Sequence, residues 1–449
     1  MTRLHALDSV WLELERGGPP IATGLVSVLD GPAPSVSDVR AMVADRLPQV
    51  ASLSWVLDAH TVSRPEWRNG GTPDLGRHVR AARVGAHPDD LASFVSALME
   101  QPMDRSAPLW EMVAVRGLRD GQWAFVWRLH HAVADGIGAR AVMGHFLDTR
   151  PDGGPTLADA SLAGEMPRTS GVRGGRQHLP GPIGRAVEDA LTGAASAVRH
   201  SPEAAHAVAD VIPRPPGPLT GPLSDRRRWV YDTVDLALAK QARRRLGASL
   251  NDVVLAAVAT GFRALLQGRG EPTQGRTLRC TVPVSTRPHI DDQANNQVSL
   301  VWVELPVAEM TSHERVERIS RSTAWQKHAG TPMIGAALVS LADHLVPGPV
   351  QQAVIAHASW VPGWFADTLV TNVPGAQFPL YVMGRRLRHL HPIIPVDASV
   401  RITVGVVSHD GTLGFGITGD GVHAADVDVL LEGTVTALRE MASSAPATP

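Results

Sequence analysis

Apolar residues along this chain recur with two different periods, and the switches between them mark the elements. In "DDLASFVSALMEQ", Leu91, Phe94, Val95, Leu98 and Met99 have the spacing of one helical face, which predicts an amphipathic helix lying on a sheet. "WAFVWRLHH" instead sets Trp123, Phe125 and Trp127 at every second position, which predicts a strand ending at the histidines. Helical spacing returns in "GIGARAVMGHFLD" through Ile137, Ala141, Val142 and Phe146. The histidine pair therefore lies at a strand-to-helix junction.

From residue 151 to 226 the pattern lapses into Gly, Pro and Ser, with an Ala-rich stretch between that could form one or two weakly amphipathic helices. This reads as a connection between a first domain, 1–150, and a second, 227–449. In the second domain "SLNDVVLAAVATGFRALLQ" predicts a helix with Val254, Leu255, Val258, Phe262, Leu265 and Leu266 inward, and Ser249 with Asp252 has capping-box spacing. "LRCTVPVS", "QVSLVWVEL" and "ADTLVTNVPG" read as strands. "VRITVGVVSHDGTLGFGITGD" reads as a hairpin closed around Asp410 and Gly411, and "ADVDVLLEGTVTALREM" as a final helix. Strands and helices mix without strict alternation and without an internal repeat, so the fold class is α/β with layers of mixed sheet.

Composition narrows the partners. At 449 residues the chain is long enough for two cores. Its 42 basic and 44 acidic residues nearly cancel, lysine occurs only at Lys240 and Lys327, and no stretch forms a basic stripe, which argues against nucleic acid as a partner. Cys280 is the only cysteine, so an intramolecular disulfide and a cysteine-rich metal site are excluded and a reducing, cytoplasmic setting is expected. The opening "MTRLHALDSVWLELERGG" carries acidic residues where a signal peptide would be apolar, and no uncharged window is long enough to span a bilayer. Contact with a membrane or lipid droplet surface would thus be peripheral.

The candidate chemistry centres on "RLHHAVADGIGAR". Side chains alternate along a strand, so His130 and His131 must face opposite ways and cannot share one task. One of them, in a cleft, could take a proton from a hydroxyl or amine attacking an acyl carbon, while the other packs. Asp135 fits a turn or helix N-cap, its carboxylate held by backbone donors or a cation, and Gly136 lets that turn close. Diverging histidines cannot easily share a metal, and no HExxH motif, phosphate loop or GxSxG elbow accompanies them. No metal or other cofactor is expected. Asn251 and Asp252 start a helix and are candidates for capping or for the site. Ser285 could donate to an oxyanion or close a turn, and Arg287 is the nearest motif-borne cation for Asp135. Trp360, Pro362, Trp364 and Phe365 could be core or an apolar lip, and Pro108 to Trp110 read as packing.

"HHAVADG" has the HHxxxDG form of the CoA-dependent acyltransferase and peptide-synthetase condensation superfamily. With "LDSVWLELE", "PMDRSAPLWEMVAVRGL", "NDVVLA", "VPVSTR", "TNVPGAQFPLYVMG" and "SHDGTLGFGITGD", nearly the whole chain resembles the bacterial wax ester synthase/diacylglycerol acyltransferase family. The resemblance implies two chloramphenicol-acetyltransferase-like domains with flanking helices around a central tunnel, which acyl-CoA and a hydroxyl acceptor enter from opposite sides. It also implies that His131 is the base, that Asn251 lies near the reacting carbonyl, and that Ser285, Arg287 and Asn372 contact substrate. Acyl-CoA is then a substrate, and long-chain acyl transfer to a fatty alcohol or diacylglycerol is the expected activity. Acylation of a specialised metabolite, and non-catalytic binding of an acyl-CoA or lipid, are the alternatives. "ANNQVSL", "PVDASVRITV" and "TNVPGA" depart from the family pattern in the half expected to shape the acceptor channel.

Overall fold

The eight residues from Trp123 to His130 are all buried, because the strand they form is covered on both faces. Every second residue, Ala124 and Val126, packs with Leu91, Val95 and Leu98 of the predicted amphipathic helix. The intervening Trp123, Phe125, Trp127 and Leu129 join a separate cluster with Val39, Val43 and Leu47. Arg128 interrupts the first set, and its guanidinium donates to Glu111 and to the Leu98 and Gln101 carbonyls at the end of that helix. A cation there also meets the negative end of the helix dipole.

A computed structural model describes residues 2–3, 6–16, 18–58, 65–134, 136–162, 217–285, 298–328, 366–397 and 399–443. The first half supplies β1 (Thr2–Arg3), α1 (Ala6–Arg16), β2 (Ala22–Leu29), α2 (Val36–Arg46), β3 (Trp55–Asp58) and β4 (Glu66–Asn69). It continues with α3 (Leu75–His78), β5 (Val79–Arg83), α4 (Pro88–Met99), β6 (Trp110–Arg116), β7 (Trp123–His130), α5 (Gly136–Gly144) and α6 (Leu157–Leu162). The second half supplies β8 (Arg227–Asp235), α7 (Leu236–Leu246), α8 (Leu250–Gly268), β9 (Thr277–Ser285), β10 (Val298–Pro306) and α9 (Ser312–His328). It ends with β11 (Thr368–Pro374), β12 (Tyr381–Val382), β13 (Arg385–Ile393), β14 (Ile402–His409), β15 (Thr412–Asp420) and α10 (Val427–Ser443).

Two six-stranded mixed sheets carry the fold, in the orders β12-β13-β2-β7-β6-β5 and β10-β9-β11-β14-β15-β8, with a small third sheet of β1, β4 and β3. The helix of 88–99, the strand of 123–130, the capping box of Ser249 and Asp252, the hairpin and the last helix all lie where the periodicity puts them. Asp410 and Gly411 both adopt positive φ, 39° and 79°, as a tight hairpin turn requires. Helix α8 is the one described helix long and apolar enough to cross a membrane, yet most of it is buried in the second core, and it carries Asp252 and Arg263. The Ala-rich stretch between the halves and the Trp360 cluster lie outside the described residues.

The halves are not confined to separate sheets. Strand β13 comes from the second half but pairs with β2, Ile393 opposite Gly24, and so extends the first sheet. It lies against the β14–β15 hairpin of the second sheet so closely that a Cβ on Gly414 would sit 1.9 Å from the Leu390 carbonyl oxygen, and one on Gly416 1.9 Å from that of Pro392. The glycines of "TLGFGITGD" thus pave a floor for β13. Gly416→Ala should cost at least on the order of 3 kcal/mol, because backbone rather than a flexible side chain would have to yield. Urea unfolding of the purified variant checks this, and a wild-type midpoint would contradict the backbone contact. Further bonds join the halves where β8 meets α4: the Trp229 N–H donates to Ser96 Oγ (2.9 Å) and the Arg227 N–H to Glu100 (2.9 Å).

Candidate active site

The register Ala22 opposite His130 brings the end of β7 beside the start of β2. His130 is wholly buried there. Its Nδ1 accepts the Ala132 N–H at 3.0 Å, so Nε2 is the nitrogen left to donate, and it faces Glu15 Oε2 at 3.2 Å. The same carboxylate accepts from Arg105 (2.7 Å) and from the Ile21 N–H (3.0 Å). Burial works against ionisation of Glu15, but the hydrogen bonds from His130, Arg105 and the Ile21 N–H outweigh it and hold the carboxyl at about 2. Arg105 also donates to the Leu12 carbonyl (3.0 Å), which pins α1 in place.

His131 begins the turn after β7, and its backbone N–H donates to the Ile21 carbonyl at 3.1 Å. It is half-buried. Its imidazole stacks on the Trp11 indole, with ring centres 4.2 Å apart and planes 28° from parallel. One helix therefore attends to both histidines: Trp11 and Glu15, one turn apart on α1, reach His131 and His130 respectively. Gly136 opens α5, and Ala132, Val133 and Ala134 of the intervening turn are buried. Asp135 and Arg287, with the pairing expected between them, lie outside the described residues.

In the second half the structure brings two of the expected residues into contact. Asn372 of β11 donates through Nδ2 to Asn251 Oδ1 at the start of α8 (3.3 Å). Strands β9 and β11 run parallel and are paired at Thr368 opposite Cys280 and Leu369 opposite Thr281, three residues before Asn372. Ser285 closes β9, and its side chain lies outside the described residues. Asp252 serves the scaffold. It completes the capping box with Ser249 and accepts from Ser320 and Thr323 of α9, each at 3.0 Å. A single apolar cluster contains Ala132 to Ala134 after His131 as well as Ala376 and Val407, close beyond Asn372 on the second sheet.

Trp11, Glu15, Arg105 and Ile21 are neighbours of the histidine pair that sequence reasoning missed. Trp11 and Glu15 fall in "LDSVWLELE" and Arg105 in "PMDRSAPLW", both of which stand out by resemblance, but nothing local says which side chain meets a histidine. Leu109 and Trp110 do pack: both are buried, the Leu109 carbonyl accepts the His130 N–H (2.9 Å), and the Trp110 indole donates to Leu53 (2.8 Å).

Two mixed sheets, the first of them extended by a strand from the second half, form the two-domain α/β architecture of chloramphenicol-acetyltransferase type. Its fold is similar to the wax ester synthase/diacylglycerol acyltransferase from Marinobacter aquaeolei VT8, with a TM-score of 0.68 and 22% identity over 98% of both chains. The first condensation domain of the CDA synthetase matches with a TM-score of 0.60 and 16% identity, over 100% of this chain and 98% of that one. The sequence profile of the wax ester synthase/diacylglycerol acyltransferase catalytic domain matches residues 4–254, and that of the WS/DGAT C-terminal domain matches 294–442. A Mycobacterium tuberculosis protein described as a probable diacylglycerol O-acyltransferase is 32% identical over 98% of this chain and 96% of its own. The chain belongs to the wax ester synthase/diacylglycerol acyltransferase family and is an acyltransferase.

Proposed function

We propose that this protein moves a long acyl group from acyl-CoA to the hydroxyl of a diacylglycerol or fatty alcohol, with His131 as general base. The observation that supports it best is that both ring nitrogens of the wholly buried His130 are engaged, by the Ala132 N–H and by Glu15, which assigns the base to His131 in the turn beyond the strand. His131 takes the acceptor's hydroxyl proton as its oxygen attacks the thioester carbonyl. The tetrahedral intermediate then collapses, the C–S bond breaks, and the imidazolium returns its proton to the leaving CoA thiolate, which departs as the free thiol and restores the neutral base. Asn251 and Asn372, joined to each other, are the polar groups assigned to the acyl carbonyl from the second half. The step needs no cofactor beyond the CoA ester itself, and lipid substrates would reach the protein by peripheral contact with a membrane or droplet surface. The M. tuberculosis relative's description favours diacylglycerol as acceptor.

Purified protein should release free CoA thiol from a long-chain acyl-CoA when given diacylglycerol or a fatty alcohol, with the ester identified by mass. Each methylene added to the donor should tighten apparent binding by up to about 0.8 kcal/mol until the channel is filled. Turnover confined to a polar polyol or amine acceptor, or to acetyl-CoA as donor, would assign the enzyme to tailoring chemistry instead.

A further inference from the structure

The main chain at His131 is held by its bond to the Ile21 carbonyl, but that bond does not determine the plane of the imidazole. His131 lies in a turn beyond the end of the strand, so the regular side-chain packing of a ladder does not orient it. The Trp11 indole meets the ring face to face, with centres 4.2 Å apart. Trp11 is itself placed from outside the pair. Arg105 clamps α1 at the next residue, Leu12, and Glu15 ties the following turn to Ile21 and His130. The helix is anchored to the same residue, Ile21, that anchors the His131 backbone.

From this arrangement we infer that Trp11 is a positioning residue for acyl transfer, setting the orientation of the His131 imidazole by stacking against it. The inference rests on the reading of His131 as the base. A flat aromatic surface restricts rotation of the imidazole about its side-chain bonds, and the indole face also stabilises the positive charge that the ring acquires when it takes the hydroxyl proton. Loss of the stack leaves the base present but poorly aimed, and small errors of aim are costly in a reaction that depends on near-attack geometry. The signature is a fall in kcat without a rise in KM, since nothing that binds CoA is removed.

The test compares Trp11→Leu and Trp11→Phe with the wild type under acyl-CoA saturation, alongside NMR spectra of the protein with labelled histidine. Trp11→Leu should lower kcat about 10- to 100-fold while KM for acyl-CoA stays within about twofold. Trp11→Phe, which keeps an aromatic face, should recover most of the rate. The Cε1–Hε1 signal of His131, assigned by its absence in His131→Ala, should sit upfield through the indole ring current. It should move downfield in Trp11→Leu and largely hold its position in Trp11→Phe. Unchanged kcat in Trp11→Leu, or a loss appearing in KM, would overturn the inference. So would a Trp11→Phe protein that keeps the ring-current shift but not the rate, because the effect would then belong to the indole N–H. If the wild type transfers no acyl group to any acceptor, the base assignment fails, and that failure is distinguishable because the ring-current shift still reports the stack.

Discussion

His131→Ala is expected to reduce acyl transfer by between about 10²- and 10⁴-fold, the range over which a positioned general base contributes. Folding should survive, because the residue sits only partly buried in the turn after the strand and the neighbouring Ala132 to Ala134 remain packed. Binding of acyl-CoA should survive as well, so the loss falls on kcat. His130→Ala should show the opposite balance. Its ring is buried and donates to Glu15, so the thermal midpoint should drop first and activity only in proportion to the folded fraction. Thiol-release assays and thermal melts on the two purified variants separate the roles. Near-normal turnover in His131→Ala would remove it as the base.

The second large effect concerns Glu15, which no simple reading of the motif would single out. Glu15→Ala removes the acceptor shared by His130, Arg105 and the Ile21 N–H, leaving donors without their partner in a buried setting. Breaking a buried charged pair on one side costs about 3 to 5 kcal/mol, so the variant should melt well below the wild type. The effect carries a pH signature. The carboxyl stands at about 2 in the folded protein against an ordinary 4.5, so folding is favoured by the ionised form. That contribution, on the order of 3 kcal/mol, is fully present above the unfolded value and is lost as the pH falls from about 4.5 toward 2. Urea unfolding of the wild type and Glu15→Gln across that window should show the stability gap closing as the solution is acidified. A gap of constant size down to pH 2 would mean that the carboxylate is not what stabilises the network.

Both predictions concern the same few residues, yet they differ in how readable they were. That a strand delivers the histidine pair follows from the period of two along "WAFVWRLHH", whereas His131 lies in the turn just past the strand end, where that alternation no longer applies. That His130 is the saturated one depends on Glu15, 115 residues earlier in the chain, and no local periodicity encodes so distant a contact. The glycines at 414 and 416 show the same contrast. Their hairpin is legible from Asp410 and Gly411, but the need for glycine arises from the Leu390 and Pro392 carbonyls of β13, a strand whose arginines and histidines mask its alternation.

What the sequence by itself determined is therefore what short-range stereochemistry and burial period can express: the amphipathic helix at 88–99, the strand that delivers the histidines, the capped helix beginning at Leu250, the closing hairpin, and the mixed α/β class. Family motifs added the order of the parts. Only the tertiary structure decided that β13 leaves its own half to extend the first sheet, that Asn372 meets Asn251, and that α1 brings Trp11 to His131 and Glu15 to His130. The physical reason is that a side chain's pattern along the chain records whether it is buried, whereas its partner is chosen by strand register and helix docking, which emerge when all the apolar faces are covered together.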